Sequence, residues 1–155
     1  MNHYTSPMNE IKNFVQLTAN IGTAGQPLAN QFDLIRDNGF EVVINLAMPD
    51  NQASISDEGK IVTELGMTYI HLPVPFDAPK PRHIKEFCGY MESLGDRKIF
   101  VHCIMNYRVS AFMYHYLSKI KKMDDQASRS EIFKQWNMEP EWVDVLKWDK
   151  EIIGL

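Results

Sequence analysis

Hydrophobic residues occur along the chain in two alternating patterns. Short, nearly continuous apolar runs predict three buried strands, at 41–47, 67–74 and 98–102. Apolar residues at helical spacing predict helices, at 28–40, 54–66, 82–95 and 108–122. We expect Leu28 to face inward from the first helix, and Ser54 or Ser56 to cap the second. Strands that alternate with helices predict an α/β three-layer sandwich, with a mostly parallel central sheet of four to five strands flanked by helices.

The last part of the chain continues the helical pattern. Residues 124–150 predict two short helices, with three tryptophans packing down onto the core: Trp136, Trp142 and Trp148. We interpret this helical tail as the last layer of a single domain that spans 1–155, whose core covers about 14–120.

Composition narrows the classes of partner. The 155 residues suit one domain, and the formal net charge of -4 argues against nucleic-acid or acidic-membrane partners, which usually meet a basic face. No apolar run is long enough to span a membrane, and the first ten residues do not resemble a signal peptide. Two cysteines fit a reduced compartment, so we expect a cytoplasmic protein.

Three loops follow the predicted strands, at 47–51, 73–81 and 103–107. Parallel sheets bind ligands at the carboxyl ends of their strands, so these loops are expected to form the site. Cys103 lies between a strand and a helix, where the unpaired amides and the helix dipole favour a thiolate. Arg108 can present two N–H groups to a tetrahedral oxyanion. Residue types alone favour a buried structural cysteine and a surface arginine, and the position at the end of a strand makes the two alternatives equal.

The segment "VHCIMNYRVS" resembles the signature loop of the cysteine-dependent protein tyrosine phosphatase superfamily. "TAGQP", "GFEVVINLAMPDN", "ELGMTYIHLPV" and "FDAPKP" precede it in the order seen in small bacterial tyrosine-phosphatase-like domains. Some of those domains are linked to sulfur metabolism, or named for fused β-lactamase-like hydrolases. The resemblance covers roughly residues 14–120. It implies a phosphatase fold and the hydrolysis of phosphate monoesters through a phosphocysteine. Phosphotyrosine is one candidate substrate.

The resemblance also implies roles for matched positions. Cys103 would be the nucleophile, and Arg108 would bind the phosphoryl group and stabilise its transition state. His102 would orient the cysteine, and the hydroxyl of Ser110 would assist the leaving thiolate. Asp77 would be the general acid that protonates the leaving oxygen.

The general acid has a second candidate. Asp77 lies in the proline-rich loop "PVPFDAPKP" after a predicted strand, where stiff surroundings suit a proton donor, although aspartate is also common in turns. Asp50, in "MPDNQ", is the rival. Gln26, in "TAGQP", lies where its side chain could reach the pocket.

The signature loop departs from the family pattern in length. Four residues separate the cysteine from the arginine, Ile104, Met105, Asn106 and Tyr107, where tyrosine phosphatases usually have five. Either the loop is shorter, or its length is kept with Val109 in the usual place of the arginine. Four residues is also the spacing of rhodanese-type sulfurtransferases. Sulfur or persulfide transfer is therefore the alternative function, and a non-catalytic anion-binding module is a third.

Individual loop residues carry further expectations. Asn106 stands where the family has a glycine, and asparagine tolerates a positive φ better than other residues. The backbone of residues 104–108 is expected to bind the phosphate. Met105 and Tyr107 are bulky enough to line the mouth of the site. We expect no metal and no cofactor, and as ligand a small phosphorylated substrate, a phosphoprotein or a phosphate- or sulfate-type anion.

Overall fold

A five-stranded sheet lies at the centre of the structure, a computed structural model that describes residues 7–155. Its strands are β1 (Val15–Gln16), β2 (Ile21–Ala24), β3 (Val42–Asn45), β4 (Thr68–His71) and β5 (Ile99–His102). Their order across the sheet is β1-β2-β5-β3-β4. β1 pairs antiparallel with β2, and the other neighbours are parallel. The predicted α/β fold with a mostly parallel sheet is confirmed.

Six α-helices surround this sheet within residues 7–155. They are α1 (Phe32–Asp37), α2 (Glu58–Glu64), α3 (Pro81–Leu94), α4 (Tyr107–His115), α5 (Pro140–Lys147) and α6 (Lys150–Ile153). α4 continues directly into a π-helical turn at Tyr116–Ile120. Short 3₁₀ turns occur at Met8–Glu10, Ala29–Gln31 and Glu131–Lys134.

Two apolar clusters pack against the sheet. Successive side chains of a strand point to opposite faces, and in β5 Val101 belongs to one cluster while Phe100 belongs to the other. The first cluster contains core residues of α3, α4 and α5: Phe87, Phe112 and Trp142. The second contains core residues of α1 and α2: Phe32, Ile35 and Val62. The helices therefore form one layer on each side of the sheet.

The strand register brings the predicted site loops together. His102, the last residue of β5, pairs with Ala24 of β2 and with Asn45 of β3. Asn45 in turn pairs with His71, the last residue of β4. Four parallel strands thus end at one edge of the sheet, and the loops that follow them emerge side by side.

Two local predictions are wrong. Leu28 does not face inward but is 64% exposed, because the helical turns begin only at Ala29 and Leu28 still belongs to the preceding loop. Neither Ser54 nor Ser56 is the N-cap of α2; Asp57 occupies that position. The Ser54 hydroxyl donates to the Met48 carbonyl instead. In both cases the loop before the helix extends further along the chain than the sequence pattern predicted.

The tail is more divided than two short helices. Trp136 follows a 3₁₀ turn, and α5 and α6 come after it. Trp136 and Trp142 belong to the same apolar cluster as the sheet residues of that face, and Trp148 packs against it. The single domain over 1–155 stays a prediction. Residues 1–6 lie outside the described residues, and they include part of the segment in which a signal peptide was not expected. Within 7–155, no helix has the length and hydrophobicity to cross a membrane.

Candidate active site

A cavity of about 360 Å³ opens at the carboxyl ends of the parallel strands. All three predicted loops contribute to its lining, which comprises Asn51, Phe76, Cys103, Ile104, Met105, Tyr107, Arg108 and Glu139. Cys103 and Arg108 therefore share one cavity, and Met105 and Tyr107 line it. Glu139 comes from the segment just before α5, which the sequence did not connect with the site.

Cys103 occupies the junction between β5 and the loop that leads to α4. The residue lines the cavity although it is only 1% exposed, and its backbone N–H donates to the Ala24 carbonyl over 3.3 Å. The second cysteine, Cys88, is buried in the apolar cluster beneath α3. Burial raises the pKa of the Cys88 thiol to about 12. Both cysteines belong to the same apolar cluster, but of the two it is Cys103 that lines this cavity.

The carbonyl groups of the loop after Cys103 are bonded to a supporting layer. The Ile104 carbonyl accepts from the Gln26 N–H over 3.0 Å, and the Met105 carbonyl accepts from Asn13 Nδ2 over 2.9 Å. The described residues contain no cis peptide bond. In a trans peptide the N–H points away from the C=O. The amides of Met105 and Asn106 therefore point away from that layer.

Asn106 does more than replace a glycine. Its φ of 71° confirms the expected left-handed conformation at the start of α4. Its Nδ2 donates to the Asn13 carbonyl (2.9 Å) and to Thr23 Oγ1 (3.1 Å), and its Oδ1 accepts from the Ser110 hydroxyl (3.2 Å). The side chain thus ties the loop to β2, to the segment before β1 and to α4. Ser110, expected to assist the thiolate, donates to this asparagine.

Arg108 is held by the loop that follows β4. The residue is 6% exposed, and its Nη1 donates to the Val74 carbonyl over 2.8 Å. Its guanidinium carbon lies 5.5 Å from the centre of the Phe76 ring. A cation over an aromatic face is attracted to the ring. The arginine is therefore fixed against the loop after β4, at the cavity wall.

His102 takes part in a buried pair behind the cysteine. Its Nε2 lies 2.6 Å from Glu58 Oε2, and its Nδ1 lies 3.0 Å from the Cys103 carbonyl oxygen. Burial raises the pKa of Glu58, but hydrogen bonds from His102 and Gln26 and the attraction of His102 outweigh this and lower it. The imidazole therefore lies between two oxygen acceptors, the Glu58 carboxylate and the Cys103 carbonyl.

Glu58 was missed by the sequence interpretation. It lies in the first turn of α2, where an acidic residue ordinarily complements the helix dipole at the surface. Gln26, expected to reach the pocket, instead donates to Glu58 Oε1 over 2.8 Å and to the Pro27 carbonyl. The glutamine supports the layer behind the loop.

The two candidate acids lie at the rim. Asp77 is exposed, and its neighbour Phe76 lines the cavity. Asp50 is also exposed, and its neighbour Asn51 lines the cavity. Neither aspartate is among the lining residues; each is adjacent in sequence to a residue that lines the cavity.

The tail contributes an aromatic wall to the site. The Trp136 ring stacks on Tyr107 with centroids 4.8 Å apart and planes 12° apart. The Trp136 indole nitrogen donates to Glu139 Oε1 over 3.0 Å. The loop that connects β5 to α4 is thus in direct contact with the tail. Among residues 7–155, no three His, Cys, Asp or Glu side chains are grouped to hold a metal ion.

Comparison with known families agrees with this geometry. The model of the family Tc-R-P, a DSP-PTPase phosphatase of polymorphic toxin systems, matches residues 9–119. The chain belongs to this family. The recognised relationship to the tyrosine phosphatase superfamily is thereby confirmed, and the chain is a phosphatase, a hydrolase of phosphoric monoesters. A search among curated proteins found no match.

Many solved structures are similar to this family member. A protein from Shewanella putrefaciens CN-32 named "Putative phosphatase (DUF442)" is 31% identical, with a TM-score of 0.82 over 90% of this chain and 92% of that chain. Tk-PTP in its active form is 18% identical, with a TM-score of 0.71 over 87% and 94%. TpbA from P. aeruginosa, in complex with pTyr, is 14% identical, with a TM-score of 0.61 over 75% and 68%. The last two share the fold.

Proposed function

We propose that the chain hydrolyses phosphate monoesters through a phosphocysteine formed on Cys103. The observation that carries this proposal is the placement of Cys103 and Arg108 in one cavity at the carboxyl ends of the strands. A thiolate nucleophile needs an oxyanion site within reach of its sulfur, and one short loop supplies both here.

The loop offers two kinds of donor to a phosphoryl group. Its carbonyls are turned to Gln26 and Asn13, so the amides of Met105 and Asn106 are free to face an anion on the other side. Arg108 uses one N–H on the Val74 carbonyl. A guanidinium has five N–H donors, so others can bind two phosphoryl oxygens. We assign the backbone of residues 104–108 and Arg108 to phosphate binding.

The reaction has two displacements at phosphorus. In the first, the Cys103 sulfur forms a bond to phosphorus, and the bond from phosphorus to the ester oxygen breaks. Asp77 donates its proton to that leaving oxygen, which departs as an alcohol or phenol. In the second, a water oxygen attacks phosphorus, the sulfur–phosphorus bond breaks, and Asp77 takes the proton of the water. The products are the alcohol and inorganic phosphate.

Two side chains support the nucleophile in this scheme. His102 is hydrogen-bonded to the Cys103 carbonyl and to Glu58, which fixes the backbone from which the sulfur projects. Ser110, one turn into α4, donates its hydroxyl proton to Asn106 in this structure, and it would turn that proton to the leaving thiolate in the second step. Both roles are positional, and they depend on the buried layer behind the loop.

The residues of the cavity wall support a proposal for the substrate class. Phe76 and Tyr107 present aromatic rings to the cavity, and a phenyl phosphate can pack against them. Phosphotyrosine, on a phosphoprotein or as a small ester, is therefore the proposed substrate, and the complex of the fold relative TpbA with pTyr supports it. We place this activity in the cytoplasm, where both thiols stay reduced.

The experiment is hydrolysis of p-nitrophenyl phosphate by the purified chain. We expect turnover that Cys103→Ser lowers by roughly three orders of magnitude or more. Cys88→Ser is the matched control, because Cys88 is buried away from the cavity, and it should keep its activity. Absence of turnover in the wild type, or equal activity in both variants, would contradict the phosphocysteine mechanism.

The general acid is tested by the leaving group. Asp77→Asn should lower kcat about 100-fold on phenyl phosphate and much less on p-nitrophenyl phosphate, whose leaving group needs no proton. Asp50→Asn is the control on the opposite loop. If only the Asp50 variant shows this dependence, the acid is Asp50.

The four-residue spacing keeps sulfur transfer as a second candidate. A shorter loop leaves less room for a phosphoryl group, and rhodanese-type enzymes use this length. Transfer of the outer sulfur of thiosulfate through a Cys103 persulfide to cyanide, giving sulfite and thiocyanate, tests it directly. Cys103-dependent thiocyanate formation without phosphatase activity would replace the first proposal.

A further inference from the structure

We propose that Glu139 is a specificity-determining residue that disfavours substrates with a second phosphate group close to the reacting one. The inference rests on the proposed function, since it assumes that the cavity binds a phosphoryl group. It also names a substrate class: monoesters of a single phosphate whose alcohol is neutral or carries a basic group near the ester.

The position of Glu139 carries the first step. It lines the same cavity as Cys103 and Arg108, although 31 residues of sequence separate it from the arginine (139 − 108). Among the lining residues, Arg108 is the cationic side chain and Glu139 the acidic one. An anion-binding cavity with a built-in carboxylate needs an explanation, since a carboxylate weakens the binding of any anion near it.

The carboxylate is held in place. Its Oε1 accepts from the Trp136 indole nitrogen over 3.0 Å, and Trp136 is only 6% exposed. That indole stacks on Tyr107, which itself belongs to the signature loop. Pro140 follows at the start of α5 and restricts the backbone further. The negative charge therefore keeps a fixed position relative to the loop that binds phosphate.

A fixed charge at this place discriminates between ligands. One phosphoryl group can be bound by Arg108 and the loop amides. These donors all belong to the signature loop, whereas Glu139 belongs to the tail. A second phosphate a few ångströms away would enter the half-buried space beside Glu139, where repulsion is screened less than in water. A basic group there would be attracted. Rejection of a competing ligand by an unfavourable charge is a common basis of specificity.

The test compares inorganic phosphate with pyrophosphate, which differs by one attached phosphoryl group. Calorimetric Kd values for both are measured on the wild type, on Glu139→Gln and on Glu141→Gln. The Glu141 variant has the same change of charge at an exposed position two residues later, on α5. We expect Glu139→Gln to tighten pyrophosphate roughly tenfold relative to phosphate, and the control to leave the ratio within about twofold.

Two further variants sharpen this result. Glu139→Asp keeps the charge and should keep the discrimination, whereas Glu139→Lys should strengthen pyrophosphate binding beyond the glutamine variant. A ratio that is the same in all variants would overturn the proposal. So would a steeper dependence of kcat on leaving-group basicity in Glu139→Gln, because that result would make Glu139 a proton donor.

Binding and turnover separate this proposal from the proposed function. If Cys103-dependent hydrolysis fails but the pyrophosphate ratio changes as expected, the cavity is an anion site with this selectivity and no phosphatase activity. If hydrolysis is found and the ratio does not change, only the role of Glu139 is wrong.

Discussion

The Trp142 indole nitrogen donates a hydrogen bond to the Phe76 carbonyl oxygen over 2.7 Å. Trp142 is fully buried on α5, and its ring lies 5.4 Å from the Phe76 ring. Phe76 lies at the wall of the cavity, under the Arg108 guanidinium, and directly precedes Asp77. The tail of the chain therefore fixes the loop that carries the proposed acid.

The first prediction concerns this bond. Trp142→Phe keeps an aromatic ring in the core but leaves the Phe76 carbonyl without its donor, which should cost about 1–3 kcal/mol of unfolding free energy. A looser acid loop should also lower kcat on phenyl phosphate about tenfold, with a smaller change on p-nitrophenyl phosphate. Urea unfolding and steady-state kinetics check both effects.

A matched change separates this contact from a general loss of aromatic packing. Trp148→Phe alters a half-buried tryptophan of the same tail, after α5. It should leave the leaving-group dependence of kcat unchanged. Equal kinetic effects in the two variants would show that the Trp142 bond has no special connection to the acid loop.

The second prediction concerns Gly25, which lies against the signature loop. A Cβ at this position would clash with the Ile104 carbonyl oxygen, a backbone atom that cannot move without moving the loop. Gly25→Ala should therefore lower kcat/KM by more than tenfold while the chain remains folded. Far-UV circular dichroism and p-nitrophenyl phosphate kinetics measure the two properties.

The control for this variant is another glycine-to-alanine change. Gly89 lies inside α3, and a Cβ there meets no atom within 4 Å. Gly89→Ala should raise stability by about 0.5–1 kcal/mol, because alanine favours a helix interior, and should not alter the kinetics. Full activity in Gly25→Ala would show that the loop tolerates displacement.

The alternation of apolar patterns was enough to predict the fold and the position of the main site residues. Parallel strands end at one edge, so residues that follow different strands meet there without any knowledge of contacts. This is why Cys103, Arg108 and the loops of Asp50 and Asp77 were expected at one place. The left-handed conformation of Asn106 followed in the same way from its chemical type.

The remaining parts of the site depend on packing between distant segments. Glu139 reaches the cavity because Trp136 stacks on Tyr107, and no periodic pattern encodes that contact. In the sequence, Glu58 resembles an ordinary surface residue at the start of a helix. In the structure it is 2% exposed and is hydrogen-bonded to His102, at the end of β5, and to Gln26, just after β2. Such polar contacts become visible only once the sheet register is known.

The third prediction concerns the buried pair of Glu58 and His102. Glu58→Gln replaces the buried carboxylate that is hydrogen-bonded to the His102 imidazole, and should cost about 3 kcal/mol of unfolding free energy. Glu64→Gln on the same helix is the control, since its bond to Lys60 is exposed and should contribute less than about 0.5 kcal/mol. Urea unfolding at pH 7 compares them.

The pH dependence of this variant has a defined sign. The pKa of Glu58 is lowered in the folded state, so the unfolded chain binds its proton first as the pH falls. The wild type should therefore lose stability through Glu58 in the acidic carboxyl range, and the glutamine variant should lack that part. Identical slopes below pH 5 in both proteins would contradict the assignment.

The fourth prediction concerns His115, which is fully buried on α4. Its Nε2 donates to the Val145 carbonyl over 2.7 Å, and Nδ1 has no hydrogen-bond partner among the described residues. Burial, together with the charge of Lys119, lowers the pKa of His115 from 6.5 to about 4. Charging the ring would add a buried N–H without an acceptor, so the folded state resists protonation.

The unfolding free energy should therefore decrease as the pH is lowered from 6.5 to about 4. Between about 6.5 and 4 the unfolded chain binds the proton and the folded chain does not, which destabilises the fold by on the order of 2 kcal/mol from pH 7 to pH 5. His115→Gln can still donate to Val145 and has no charge to gain, so its unfolding free energy should change less over this range. Urea unfolding at both pH values measures the difference. The folded-state pKa of Glu58 is lowered, so Glu58 contributes little above pH 5. If His115→Gln loses as much unfolding free energy as the wild type between pH 7 and pH 5, the loss comes from a group other than His115.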